Sequence, residues 1–300
     1  MRIRTVLLTA ATLAAIAPPA LAAQNITKRA TVVADAAIDV SNVQGRVDVT
    51  AWDRNEVELV AVLASDKDTL EFEATEREVR VKVRRPEGQK RWHGEDEDAD
   101  LTLRVPKGAR LSVSTVSADI GVAGVRGEQR LGTVSGDLRT QAFDEPVSVR
   151  SVSGDATVAG TGGRSAVSAD TVSGTAIVNG IRGSFEGVAV SGDLDVTISA
   201  ADRLRAKTVS GNLRANAELT SAARVDLGSI SGDIVLKVKP PVNAEFEIES
   251  FSGDIDSCFG GKARARSKHG PGSELTMTQG GGGARVHVKT LSGEIEVCDR

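Results

Sequence analysis

The sequence contains no tyrosine, and in 300 residues only two tryptophans, six phenylalanines, two methionines, three histidines and two cysteines. Each scarcity excludes something. A core without aromatics must be built from Val, Ile, Leu and Ala, which suit thin, layered β-structure better than a wide globular interior. Enzymes on β-helical scaffolds that cleave polysaccharide use paired carboxylates in a groove lined with aromatic platforms, and here such platforms are nearly missing. His93, His269 and His287 share no local motif. Beyond the first twenty-odd residues no stretch approaches the ~18 apolar residues of a spanning helix, so no transmembrane segment is expected in the mature chain.

The first residues read differently. Met1-Arg2-Ile3-Arg4 is a short basic start, Val6 to Ala17 is apolar, and Ala20-Leu21-Ala22 is a small-x-small cleavage site. This is the pattern of a secretory signal peptide over residues 1–22, with cleavage expected after Ala22 or Ala23 and a periplasmic or secreted destination. No Cys follows the apolar run to take a lipid. Loss of Arg2 and Arg4 leaves 35 basic against 41 acidic residues. That balance argues against nucleic acid as a partner, whose phosphates call for clustered Lys and Arg.

What the chain has in abundance is a repeat. Ser-Gly-Asp, or a near variant, begins at Ser117, Ser135, Ser153, Ser173, Ser191, Ser210, Ser231, Ser252 and Ser292, at spacings of 18, 18, 20, 18, 19, 21, 21 and 40 residues. A period of roughly 20 residues marks a stacked-repeat architecture, in which each unit buries its apolar face only against its neighbours. The flanks repeat too. Apolar residues sit six and four positions before the Ser (Leu111 and Val113, Val147 and Val149, Val225 and Leu227), and a small, usually hydroxylated residue sits two before it (Thr133, Ser151, Thr171, Thr208). Immediately before it stands Val116, Val134, Val152, Val172, Val190, Val209, Ile230, Phe251 or Leu291.

Strand side chains alternate with period two. Positions −6, −4 and −2 therefore share one phase, while −1, +1 and +3 share the other. A slip between −2 and −1 lets the chain turn a corner with its apolar residues inside. Gly at +1 then points inward, and Ser at 0 and Asp at +2 point outward. The expected fold is all-β: a parallel β-solenoid, β-helix-like, of ~20-residue coils stacked ~4.8 Å apart. Residues 23–110 keep β alternation without the tight period, and are expected to start and cap a solenoid that occupies 111–300.

Ile38 to Val49 followed by Ala51-Trp52-Asp53, the step Val105-Pro106-Lys107-Gly108 and the serial Val-Ser-Gly-Asp units together resemble the DUF4097 family, over roughly residues 30 to 298. Its members are exported bacterial proteins labelled adhesins. The resemblance implies a β-solenoid at the cell envelope and offers no catalytic residues to carry over.

Stacking places Asp119, Asp137, Asp155, Asp193, Asp233 and Asp254 in a row, interrupted by Thr175 and Asn212 and closed by Glu294. Carboxylates ~5 Å apart repel by of order 1 kcal/mol per pair in water, so something must compensate. The ordinary compensation is a ladder of hydrogen bonds from turn amides or Ser hydroxyls. The sharper alternative is a row of calcium sites; no other cofactor is expected. The acidic run Glu95 to Asp100 lacks EF-hand spacing and reads as a solvated connection.

Cys258 and Cys298 each lie six residues after a motif Ser, at the same outward position of their coils. If residues 259–285 form a full intervening coil, they stand ~9.6 Å apart and cannot bond. If that segment loops out, their coils are neighbours and a disulfide is straightforward. Arg266 and Lys268 occupy what should be apolar positions, which favours an excursion at 259–285 and a Cys258–Cys298 staple. The functional expectation is an exported, non-enzymatic β-solenoid presenting a rigid surface to an unidentified envelope or cell-surface partner, for adhesion or scaffolding. The alternatives are a calcium-dependent binding module and a polysaccharide-active enzyme.

Overall fold

The computed structural model describes residues 24–65, 67–85, 98–266 and 271–299. The leader, Trp92, His93, His269 and Glu95 to Glu97 of the acidic run lie outside them. Every regular element described is a β-strand. No helix of the described residues is long and apolar enough to cross a membrane.

Two parallel ladders run the length of the molecule. The first carries the strand segments that precede each motif: Leu111 pairs with Gln129, then come Val147, Val167, Phe185, Leu204, Val225, Val286 and Phe246 in turn. The second carries the segments that follow it, in the order Ile120, Leu138, Ala156, Ala176, Leu194, Leu213, Ile234, Ile295 and Ile255. Side chains from both ladders fill one continuous core of Val, Leu, Ile and Ala that also takes in residues 32–109. Phe185 and Phe246 are its largest fully buried side chains.

The stack departs from a simple solenoid in two ways. Its last coils are out of chain order, because the strand Ala284–Thr290 inserts between Leu213–Ser229 and Ala244–Ser250. The chain overshoots by one coil, turns back and fills the gap. Its ends are also antiparallel. Ser273–Gln279 lies antiparallel on Ala244–Ser250. At the other end Thr69–Ala74 covers Glu78–Arg84, and Glu56–Leu63 covers Ala99–Pro106 with Gln24–Thr31 outside it. An open parallel edge is a template for further strands, and these reversals put short antiparallel strands there instead.

Candidate binding surface

The corner of each coil is built by the motif and its flanks. The glycine at +1 packs onto the backbone of the coil before it. A Cβ on Gly136, Gly154, Gly174, Gly192, Gly211, Gly232 or Gly253 would lie 1.8 to 2.1 Å from a carbonyl oxygen there. No side chain fits in that space, which is why this position is glycine. The buried hydroxyl at −2 closes the corner by accepting from the glycine amide: Gly136 to Thr133 at 3.0 Å, Gly174 to Thr171 at 3.1 Å, Gly211 to Thr208 at 3.0 Å, Gly232 to Ser229 at 2.7 Å and Gly253 to Ser250 at 2.8 Å. Thr171 also donates to the Gly174 carbonyl at 2.9 Å. The sequence shows the hydroxyl column plainly, but only the turn geometry shows that it replaces a lost ladder bond.

The residue at −1 corrects the expected phase. Positions −2 and +1 are buried, whereas −1 and 0 both face solvent, so the slip falls between −1 and 0. Val116, Val134, Val152, Val172, Val190, Val209, Ile230, Leu291 and Phe251 consequently stand in a row along the outside, each 39 to 52% exposed. The cause is the glycine column itself: an inward side chain at −1 would compete for space already filled by the next coil's backbone. Among the described residues, this row and the adjacent Val188 are the exposed large hydrophobics.

The row is held firmly. From Ser135 onward the amide of each motif Ser donates to the carbonyl of the ridge residue one coil back, for example Ser153 to Val134 at 2.8 Å, Ser191 to Val172 at 2.7 Å and Ser292 to Ile230 at 2.8 Å. Most of its side chains are β-branched and therefore stiff at χ1. Two shallow hollows run beside it. One of about 650 Å³ is walled by Val134, Val152, Val172 and Val190. The other, about 470 Å³, is walled by Val209, Ile230, Leu291, Lys207 and His287. Nine apolar side chains at strand spacing make a ridge roughly 40 Å long.

On the far side of the corner stand the carboxylates. The amide of a +2 residue donates to the side chain of the one before at most steps of the row: Asp137 to Asp119 at 2.9 Å, Asp155 to Asp137 at 3.2 Å, Thr175 to Asp155 at 2.8 Å, Asn212 to Asp193 at 2.7 Å and Glu294 to Asp233 at 2.9 Å. Asn212 accepts in the same way from Asp233 at 3.3 Å. One oxygen of each such carboxylate is thus committed to a backbone amide. Among the described residues no group of three or more His, Cys, Asp or Glu is arranged to hold a metal ion. Glu294 does not close the row as its place in the chain implies. The inserted coil puts it between Asp233 and Asp254, and partial desolvation, Asp256 and those two neighbours push its carboxyl above the usual range.

Cys258 and Cys298 are bonded to each other, with Cα atoms 4.8 Å apart. Their coils are direct neighbours, and the segment between them turns back through Arg264–Ala265 and Ser273–Gln279. Cys298 is buried, not outward, because Val297 and Cys298 both turn into the end of the core.

Similarity to known proteins is at the level of family. No curated protein matches the chain. Among solved structures, a putative adhesin from Parabacteroides merdae aligns over 91% of this chain and 96% of its own at 9% identity and a TM-score of 0.46. A putative adhesin from Bacteroides fragilis aligns over 91% and 97% at 12% identity and a TM-score of 0.37. A putative cell adhesion protein from Clostridium sporogenes aligns over 92% and 99% at 6% identity and a TM-score of 0.26. The Toastrack DUF4097 family model matches residues 36–298, from the first core strand to the second cysteine, and the chain belongs to that family.

Proposed function

We propose that this protein is an exported, non-enzymatic binding or scaffolding protein, a solenoid-like stack that presents the apolar ridge as a rigid surface at the cell envelope. The observation that carries this reading is the ridge itself. Soluble monomers seldom expose a contiguous apolar patch beyond a few hundred Å², and larger ones mark interaction sites. The ridge residues support no core, yet the position is apolar in all nine coils. A stiff, pre-ordered row also loses little conformational entropy when a partner covers it. Export is supported by the leader pattern, which ends where the first strand, Gln24–Thr31, begins.

The test is co-sedimentation of the mature chain with washed cell-envelope fragments of its host. The native protein is expected to pellet with them. The variant Val134→Asp/Val172→Asp/Val209→Asp is expected to stay in the supernatant while melting normally. Equal pelleting of the two would remove the ridge from the mechanism.

The carboxylate row, Asp119, Asp137, Asp155, Asp193, Asp233 and Asp254, acts in this reading as a structural ladder without a metal. Millimolar calcium is then expected to leave the melting temperature unchanged. A rise of several degrees would instead establish the calcium-dependent module, since a ligand specific to the folded state stabilises by mass action.

A further inference from the structure

The outer face of the first ladder carries a second surface, which adjoins the ridge through Lys207 and His287. Its outward columns lie seven, five and three residues before each motif Ser. In three consecutive coils they hold Arg203, Arg205 and Lys207, then Arg224, Asp226 and Gly228, then Arg285, His287 and Lys289. This is a strongly basic patch on a chain whose formal net charge is −4. Its outer column is the notable part. Arg203, Arg224 and Arg285 are direct cross-strand neighbours, all exposed, and none makes an ion pair among the described residues.

The nearby carboxylates pair in part with the inner columns of the patch, His287 lying 3.7 Å from Asp226 and Lys289 3.8 Å from Glu249, and not with the outer arginines. Asp202 pairs with Arg164 and accepts from Thr220, while Glu186 and Asp226 both lie 3.5 Å from Arg205. Glu245 follows Arg285 in the column and ends the basic face, with Glu247 and Glu249 in the same coil. A shallow cleft of about 540 Å³ opens beside the column, walled by Ser184, Arg203, Ala222 and Arg224 and by the paired Arg164 and Asp202.

Three stacked guanidiniums repel one another and contribute nothing to the core. Cross-strand like charges are destabilising, and the same column carries Pro146, Ala166 and Ser184 in earlier coils, so the fold does not require arginine there. Each guanidinium presents a planar fork matched to carboxylate or sulfate, at the ~4.8 Å repeat of the stack. We propose that this face binds a linear acidic polysaccharide, with the Arg203–Arg224–Arg285 column engaging successive anionic groups along the chain. The charge pattern selects a repeating polyanion over a single ion. The lack of aromatics on the face disfavours single-stranded nucleic acid, which binds through stacking platforms as well as charge, and leaves charge as the means of holding a sugar chain; Phe185 and Phe246, on the strands that flank the patch, are buried.

The experiment is calorimetric titration of the mature chain with alginate oligosaccharides, with neutral dextran and a single-stranded oligonucleotide of similar length in parallel, at about 50 and about 300 mM NaCl. Alginate is expected to bind, more weakly at the higher salt, and dextran not at all. Arg203→Gln/Arg224→Gln/Arg285→Gln is expected to lose about tenfold or more in affinity, as loss of charge-assisted contacts implies. Arg77→Gln/Arg80→Gln/Arg84→Gln removes the same charge from the strand Glu78–Arg84 and the residue before it, and is expected to change little. The column variant should melt no lower than the native protein, because it removes repulsion. If it does melt lower, the single Arg224→Gln carries the comparison. No alginate binding at low salt, equal losses in the two triple variants, or an oligonucleotide bound as tightly as alginate would each overturn the proposal. Those outcomes leave the ridge untouched.

Discussion

At the scale of single residues, the corner makes sharp demands. Gly192→Ala places a Cβ against the Gly174 carbonyl, where the available distance is 2.0 Å. The two coils must separate, and a loss of roughly 3 kcal/mol is expected in urea unfolding. The hydroxyl column offers a paired comparison. Thr171→Val leaves the buried Gly174 amide without its acceptor and is expected to cost about 1–3 kcal/mol. The Thr290 hydroxyl has no partner among the described residues, so Thr290→Val is expected to be neutral or stabilising. Glu294 supplies a pH test. Its folded-state carboxyl is raised above 4.5 by partial desolvation and neighbouring carboxylates, so the stability it contributes is present below that value and is lost as pH rises. Glu294→Gln is therefore expected to raise the melting temperature at pH 7, with the gain disappearing on acidification toward pH 4. A gain that grew on acidification would contradict the arrangement of this row.

Much of the corner was legible in the sequence itself. The inward glycine follows from the repeat register, as does the row of carboxylates. The outward turn at −1 was not, because Val next to a buried motif reads as core by parity. A signal was available all the same: the position passes from Val to Phe251 and Leu291 with no compensating change beside it. A site pressed against a glycine column has no room for phenylalanine, whereas solvent tolerates it.

At the scale of elements, the last coils carry the device that spacing alone could not show. The 40-residue step from Ser252 to Ser292 says that two periods pass, but not which coil lies outermost. The register settles this: Ala284–Thr290 is sandwiched and Ala244–Ser250 is outside it. The outer coil is thus held by one parallel neighbour, one antiparallel hairpin strand and the Cys258–Cys298 bond. A cross-link closing 40 residues stabilises by about 4 kcal/mol in the chain-entropy treatment. In a stack whose units contact only neighbours, that contribution is local. Cys258→Ser/Cys298→Ser is expected to free the amides of 244–257 and 273–279 for hydrogen exchange while those of 138–178 stay protected. Uniform loss of protection along the stack would contradict this picture, as would two thiols that alkylate without prior reduction.

At the scale of the whole molecule, the same repeat that closes the core lays out its surfaces. One corner gives an apolar ridge, the far side of that corner a hydrogen-bonded carboxylate row, and one sheet face a basic patch near the C-terminal end of the stack. Because every coil repeats the corner, a property of one position becomes a stripe. The central claim is that the ridge is apolar for a reason other than folding. Thermal melting of Val134→Thr/Val172→Thr/Val209→Thr tests it most directly, since the change keeps shape and β-branching and alters only polarity. Exposed side chains predict a melting temperature within a few degrees of the native protein, because surface substitutions seldom exceed ~0.5 kcal/mol each. Buried ones would leave three hydroxyls desolvated at about 1–3 kcal/mol apiece, and a collapse of the transition by ten degrees or more would contradict the account.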